Sequence, residues 1–147
     1  MKNRDLLNKI IFYFENSCTR THKKTDEVLV GKVRDFLSQF KPQKIWEEKG
    51  IINKRLKVNA YPDFVMISDG KLIACEVEKT NVTGKFDLFD GITLFDEIWF
   101  FTDIPVEKDW LHYKLENKLK VKQRFFGLNK ESQITEIEDI VSSYRTH

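Results

Sequence analysis

Three carboxylates dominate the chemistry this sequence offers. Asp63 follows Pro62, twelve residues separate it from Glu76, and Glu78 stands two further on, just before Lys79. Residues two apart on a strand project to one side, so Glu76 and Glu78 share a face of a strand through Lys71–Glu78. Between Asp63 and Glu76 lies Asp69-Gly70, a dipeptide suited to a tight hairpin turn. A turn centred on that pair sets residue 63 opposite residue 76. Three carboxylates then converge on one patch. Like charges so placed destabilise the pairing unless something positive lies between them. A hard divalent cation, Mg²⁺ or Mn²⁺, is the natural partner for such oxygen ligands. The alternative is an amphipathic strand whose acids face solvent.

The remaining sequence predicts the elements that would position these acids. Leu6, Leu7, Ile10, Ile11 and Phe14 recur at helical spacing over Asp5 to Phe14. A polar, basic loop follows over Ser17 to Lys24. Thr25 or Asp26 caps a second helix, with Glu27 in its first turn and a stop before Pro42. Lys44 to Lys49 reads as a strand and Gly50 to Asn59 as a basic connection. Asp63 to Ile67 and Lys71 to Glu78 form the hairpin. Asn81 to Leu94 has helical spacing. Glu97 to Thr102 reads as a buried strand and Pro105 to Lys118 as a helix. The alternation in Lys120 to Phe126 predicts an edge strand, and Glu136 to Tyr144 a short last helix. The sum is an α/β fold with a mixed central sheet flanked by helices.

Pro62-Asp63 followed by Glu76-Val77-Glu78, within an αβββαβ order, resembles the PD-(D/E)XK, or restriction-endonuclease-like, nuclease superfamily. The resemblance spans roughly residues 26 to 102, leaving an N-terminal helix and a C-terminal α/β extension on a single 1–147 domain. It implies that Asp63, Glu76 and the Val77 carbonyl hold Mg²⁺ or Mn²⁺, which activates water and stabilises the phosphate transition state. Where the family usually carries lysine, this chain carries Glu78. Some restriction enzymes of the superfamily carry a Glu there. Glu78 would then orient or deprotonate the water, or bind a second metal. Lys79 faces the other way on a regular strand and returns to the site only if the strand ends or bulges. Lys85 would supply a displaced positive charge. Glu27 matches the place where several relatives add an acid.

Composition narrows the rest. Lys and Arg number 25 against 23 Asp and Glu, a net charge of +2, which excludes a histone-like polycation and an acidic disordered tail. Basic clusters at Arg20–Lys24 (with Lys23 and Lys24), at Lys54, Arg55 and Lys57, and from Lys114 to Arg124 could bind a phosphate backbone. The expected partner is DNA, with RNA as the other nucleic acid. A chain with one active site would need a homodimer to cut both strands. The longest apolar run, Ile10 to Phe14, is far short of the roughly 20 residues of a membrane span. Asn8 and Lys9 break the N-terminal apolar stretch, so no secretory signal is expected. Cys18 and Cys75 are too far apart in sequence to suggest a disulfide scaffold, and Cys18 with His22 lacks the second pair of a zinc site. The expected compartment is a reducing cytoplasm. Two other functions fit: a nucleic-acid-binding module on the same fold without catalysis, and a protein-interaction factor.

Overall fold

A computed structural model describes residues 3–19, 27–53, 58–77, 94–105 and 121–136. Helix α1 (Arg4–Asn16) begins where the Asn3 side chain accepts the Leu6 N–H at 2.8 Å, with Asp5 in the first turn. Both features satisfy a helix N-terminus. Its buried stripe is Ile10 and Phe14. Helix α2 (Glu27–Ser38) buries Leu29, Val33 and Leu37, one residue per turn along a single face.

Among the described residues eight strands follow: β1 (Lys44–Glu47), β2 (Ile51–Asn53), β3 (Val58–Ala60), β4 (Phe64–Ser68), β5 (Lys71–Val77), β6 (Glu97–Pro105), β7 (Lys122–Leu128) and β8 (Ile134–Glu136). Six make one mixed sheet in the order β1-β4-β5-β6-β7-β8, and β2 pairs with β3 in a second, two-stranded sheet. Pairings β1/β4, β4/β5 and β7/β8 are antiparallel; β5/β6 and β6/β7 are parallel. Asp69 and Gly70 both take positive φ, 51° and 72°, the signature of a two-residue type I′ turn. That turn fixes the register Ser68↔Lys71 through Phe64↔Cys75, as the sequence predicts.

The sheet is apolar on both faces. Alternate residues go to opposite layers: Val65, Ile67, Leu72, Ala74, Phe100 and Phe125 join α1, while Phe64, Met66, Ile73, Cys75, Phe101 and Phe126 join α2. Phe14 stacks on Trp46 at 5.3 Å and Phe101 on Phe126 at 4.6 Å. Each such pair adds about 0.5–1.5 kcal/mol beyond its area burial.

Four expectations are corrected. Residues Gly50 to Asn59 are not only a connection, because β2 and β3 form within them. Lys122–Leu128 is an interior strand; β8 is the edge. Pro105 ends β6 instead of opening a helix, and Glu136 ends β8 instead of opening one. A proline at a strand end is tolerated because its missing N–H falls at the margin of the ladder. The helices expected over 81–94 and after residue 105 fall mostly outside the described residues, and Leu94, the last residue of the first, is not helical. Among the described residues, no helix is long and apolar enough to cross a membrane.

Candidate metal centre

The parallel strands β5, β6 and β7 define two ends of the sheet. Asp63 immediately precedes β4, and Glu76 is the penultimate residue of β5, so both lie at the carboxyl end of the parallel strands. Ligands of open α/β sheets bind at that end. The β4/β5 register, carried one step beyond Phe64↔Cys75, sets Asp63 across from Glu76. Strand alternation puts both on the α1 side, continuing the row of Val65 and Ile67 on one strand and Leu72 and Ala74 on the other.

Neither acid belongs to a solvated strand face. Asp63 is 3% exposed and Glu76 2%. Asp63 Oδ2 accepts the Val77 N–H at 2.6 Å, which fixes the carboxylate against the end of β5. Asp63 Oδ1 and Glu76 Oε2 are sealed from solvent. Burying a carboxylate is unfavourable without hydrogen bonds or a counter-charge, and two close together compound the penalty. Their field reaches the opposite layer. Burial pushes the Cys75 thiol well above its usual range, and the negative charges of Glu76 and Asp63 push the same way. Cys75 is therefore a core residue and no nucleophile.

A third acid, not singled out in the sequence, is joined to Asp63 through its backbone. The Glu48 N–H donates to the Asp63 carbonyl at 3.1 Å, extending the β1/β4 pairing by one step beyond Glu47↔Phe64. Glu48 Oε2 is also sealed from solvent. Glu48 adopts φ 57°, a left-handed conformation that ends the strand and is unfavourable for a residue with a Cβ. The signal that could have found it is parity: Glu48 lies two residues past the buried Trp46.

Glu27 opens α2 and is exposed. The far end of that helix reaches Phe40, whose carbonyl accepts the Ser68 hydroxyl at 3.3 Å, so the helix start points toward the end that carries the acids. It lies in the other layer from them. Glu78, Lys79 and Lys85 lie outside the described residues, as do Lys23, Lys24, Lys54, Arg55 and Lys57. Arg124, from the last basic cluster, is half-buried. It forms a two-point ion pair with Glu136 and lies 4.5 Å over the Trp99 ring.

The donor set suits a hard cation. Two carboxylates and the Val77 carbonyl are all oxygen, and Mg²⁺ commonly takes one or two carboxylates with water and substrate phosphate completing its shell. Among the described residues, no group of three or more His, Cys, Asp or Glu is arranged to hold a metal ion, so Glu48 does not complete a protein cage. No protein-family model and no curated protein matches the sequence.

Proposed function

We propose that this protein is a metal-dependent nuclease that hydrolyses DNA phosphodiester bonds, built on a restriction-endonuclease-like core. The observation that carries the reading is the register-matched pair Asp63 and Glu76, buried at the carboxyl end of the parallel strands. The order of elements supports it. Helix α2, strands β1, β4 and β5 in antiparallel succession, and β6 parallel to β5 are compatible with an αβββαβ order; residues 78–93 lie outside the described residues.

Asp63 and Glu76, with the Val77 carbonyl, would hold Mg²⁺ or Mn²⁺. When bound, the cation supplies Lewis-acid activation of water and charge neutralisation at the phosphate. The Val77 N–H keeps Asp63 in one orientation, so the site is formed before substrate arrives. On the family resemblance, Glu78 orients the attacking water and accepts its proton. Lys79 or Lys85 contributes positive charge near the scissile phosphate. One site per chain implies a homodimer for cutting both strands.

The test is cleavage of a panel of DNA substrates, with RNA beside them, in Mg²⁺ or Mn²⁺. Asp63→Ala and Glu76→Ala are run in parallel, with circular dichroism to check folding. Cleavage that both folded variants abolish supports the assignment. Binding without cleavage moves the protein to a non-catalytic nucleic-acid module. Cleavage that survives both substitutions overturns the site.

A further inference from the structure

We infer that Thr102 is a positioning residue for the cation at Asp63 and Glu76, its hydroxyl accepting a hydrogen bond from a water in the cation's shell; the inference rests on the metal-site reading above. Strand β6 turns alternate residues to the α1 side: Ile98 and Phe100, which belong to that core layer, and then Thr102. Thr102 is 1% exposed. It stands one step beyond Val77↔Phe101, the last pair of the β5/β6 ladder, so it lies at the carboxyl end with both acids.

Elimination along the sheet singles it out. Glu76 has Phe100 beside it on β6 and Asp63 across from it on the other flank. Phe100 is stacked on Phe125 at 5.2 Å, so that flank is aromatic. Behind the two acids, on the same face, stand Ala74 and Val65. Among the described residues that β4, β5 and β6 turn to the α1 side, Thr102 is the one polar side chain besides the acids.

Strand β6 also changes course at this point. Phe101 pairs with Phe126 and Pro105 with Leu128, so residues 102–104 stand against Gly127 alone. Extra residues in one strand interrupt the ladder, and such bulges recur beside active sites, where they re-aim a side chain. This one begins at Thr102.

A hydroxyl is the group the site needs there. Mg²⁺ held by one or two carboxylates keeps several waters. A water bound to a cation through its oxygen has only its hydrogens to offer, so its outer partner must accept. A third carboxylate would add charge to a buried pair of acids, whereas a threonine oxygen accepts without charge. Diagonal neighbours on adjacent strands, the relation of Glu76 to Thr102, are about 7–8 Å apart. A bound water bridges polar groups that far apart more readily than a direct bond does. The β-branched side chain is stiff about χ1, so little freedom is lost in holding the oxygen in place.

The experiment is thermal unfolding of the full chain across a Mn²⁺ titration for the wild type, Thr102→Val, Thr102→Ser and Thr102→Ala. Valine keeps the shape and removes the hydroxyl; serine keeps the hydroxyl. Thr102→Val should raise the Mn²⁺ concentration at half the full midpoint shift by about tenfold, the loss typical of an outer partner of a metal site, and Thr102→Ser should keep it within about twofold. If the valine variant does not fold, serine against alanine makes the same comparison, with the loss expected in alanine alone. A merely structural threonine would shift the midpoint in chelator and leave the Mn²⁺ dependence where it was. That result overturns the role, as does a serine variant that loses as much as the valine one. A wild type whose midpoint ignores Mn²⁺ sinks the metal-site reading and the role of Thr102 together. A wild type that responds, beside a valine variant that responds at the same concentrations, sinks the role of Thr102 alone.

Discussion

At the amino end of the parallel strands, Glu97 is 5% exposed, and two lysines and an indole N–H answer its charge. Lys71 Nζ lies 3.3 Å from Oε2, Lys122 Nζ lies 3.9 Å from Oε1, and the Trp99 indole N–H donates to Oε1 at 3.1 Å. Beside it, Asp96 accepts the Leu72 N–H at 2.8 Å and ties the start of β6 to β5. At the carboxyl end, Asp63 and Glu76 are equally buried, but they face each other, and Asp63 accepts a backbone N–H. An acid matched by two lysines and an indole holds strands together. Two acids placed opposite each other repel, and on the proposed reading a cation held between them offsets that repulsion. On the proposed reading, the difference between the ends separates buried acids that serve stability from buried acids that serve chemistry.

The largest expected effect is on cleavage. Asp63→Asn or Glu76→Gln should lower it by at least about a hundredfold, while Glu97→Gln leaves it near the wild-type rate. A loss of the same size in Glu97→Gln would erase the distinction between the ends.

Stability should move in opposite directions. Glu97→Ala leaves the buried Trp99 N–H without its acceptor and should cost about 1–3 kcal/mol in urea denaturation. In chelator, Glu76→Gln should raise the midpoint, because it removes one of two facing charges and keeps the side chain's shape. A midpoint lowered by both substitutions would place both acids in the structural class.

Cys75 sharpens the comparison from the opposite layer. Its folded-state value lies above the unfolded one, so its contribution is fully present below the ordinary value of 9.0 and fades as the pH rises beyond it. Cys75→Ala should therefore make the alkaline loss of stability shallower. In the native protein a thiol reagent should label the exposed Cys18 and reach the buried Cys75 only on unfolding.

The smallest effect belongs to the exposed pair Glu15–Lys44, 3.2 Å apart. Hydrogen bonds from Lys44 and from the Trp46 side chain hold the Glu15 carboxyl below its usual value of 4.5. Its contribution is present above that pH and fades as the pH falls through the carboxylate range. Glu15→Gln should barely change the neutral-pH midpoint and slightly flatten the acid limb.

The hairpin was legible because its signal is local. Asp69-Gly70 suits positive φ at both positions, and the register that sets Asp63 against Glu76 follows by counting outward. Helices α1 and α2 were legible from apolar spacing. What escaped depends on contacts distant in sequence. The alternation of basic and apolar residues around Arg124 reads as an edge strand, yet Glu136 and the Trp99 ring take up that charge and let β7 run inside the sheet. Strands β2, β3 and β8 are three residues each, too short to carry a period of their own. Glu48 escaped because a left-handed residue at a strand end leaves no mark in composition.

The most direct test of the central claim is thermal unfolding of the purified full chain across a Mn²⁺ titration, run for the wild type, Glu97→Gln and the Asp63→Asn/Glu76→Gln double variant. A cation bound by the folded state alone raises the midpoint as its concentration passes the dissociation constant. The account predicts a saturable rise for the wild type and Glu97→Gln, and a double variant that begins higher in chelator and does not respond. A double variant that responds to Mn²⁺ as the wild type does would contradict it.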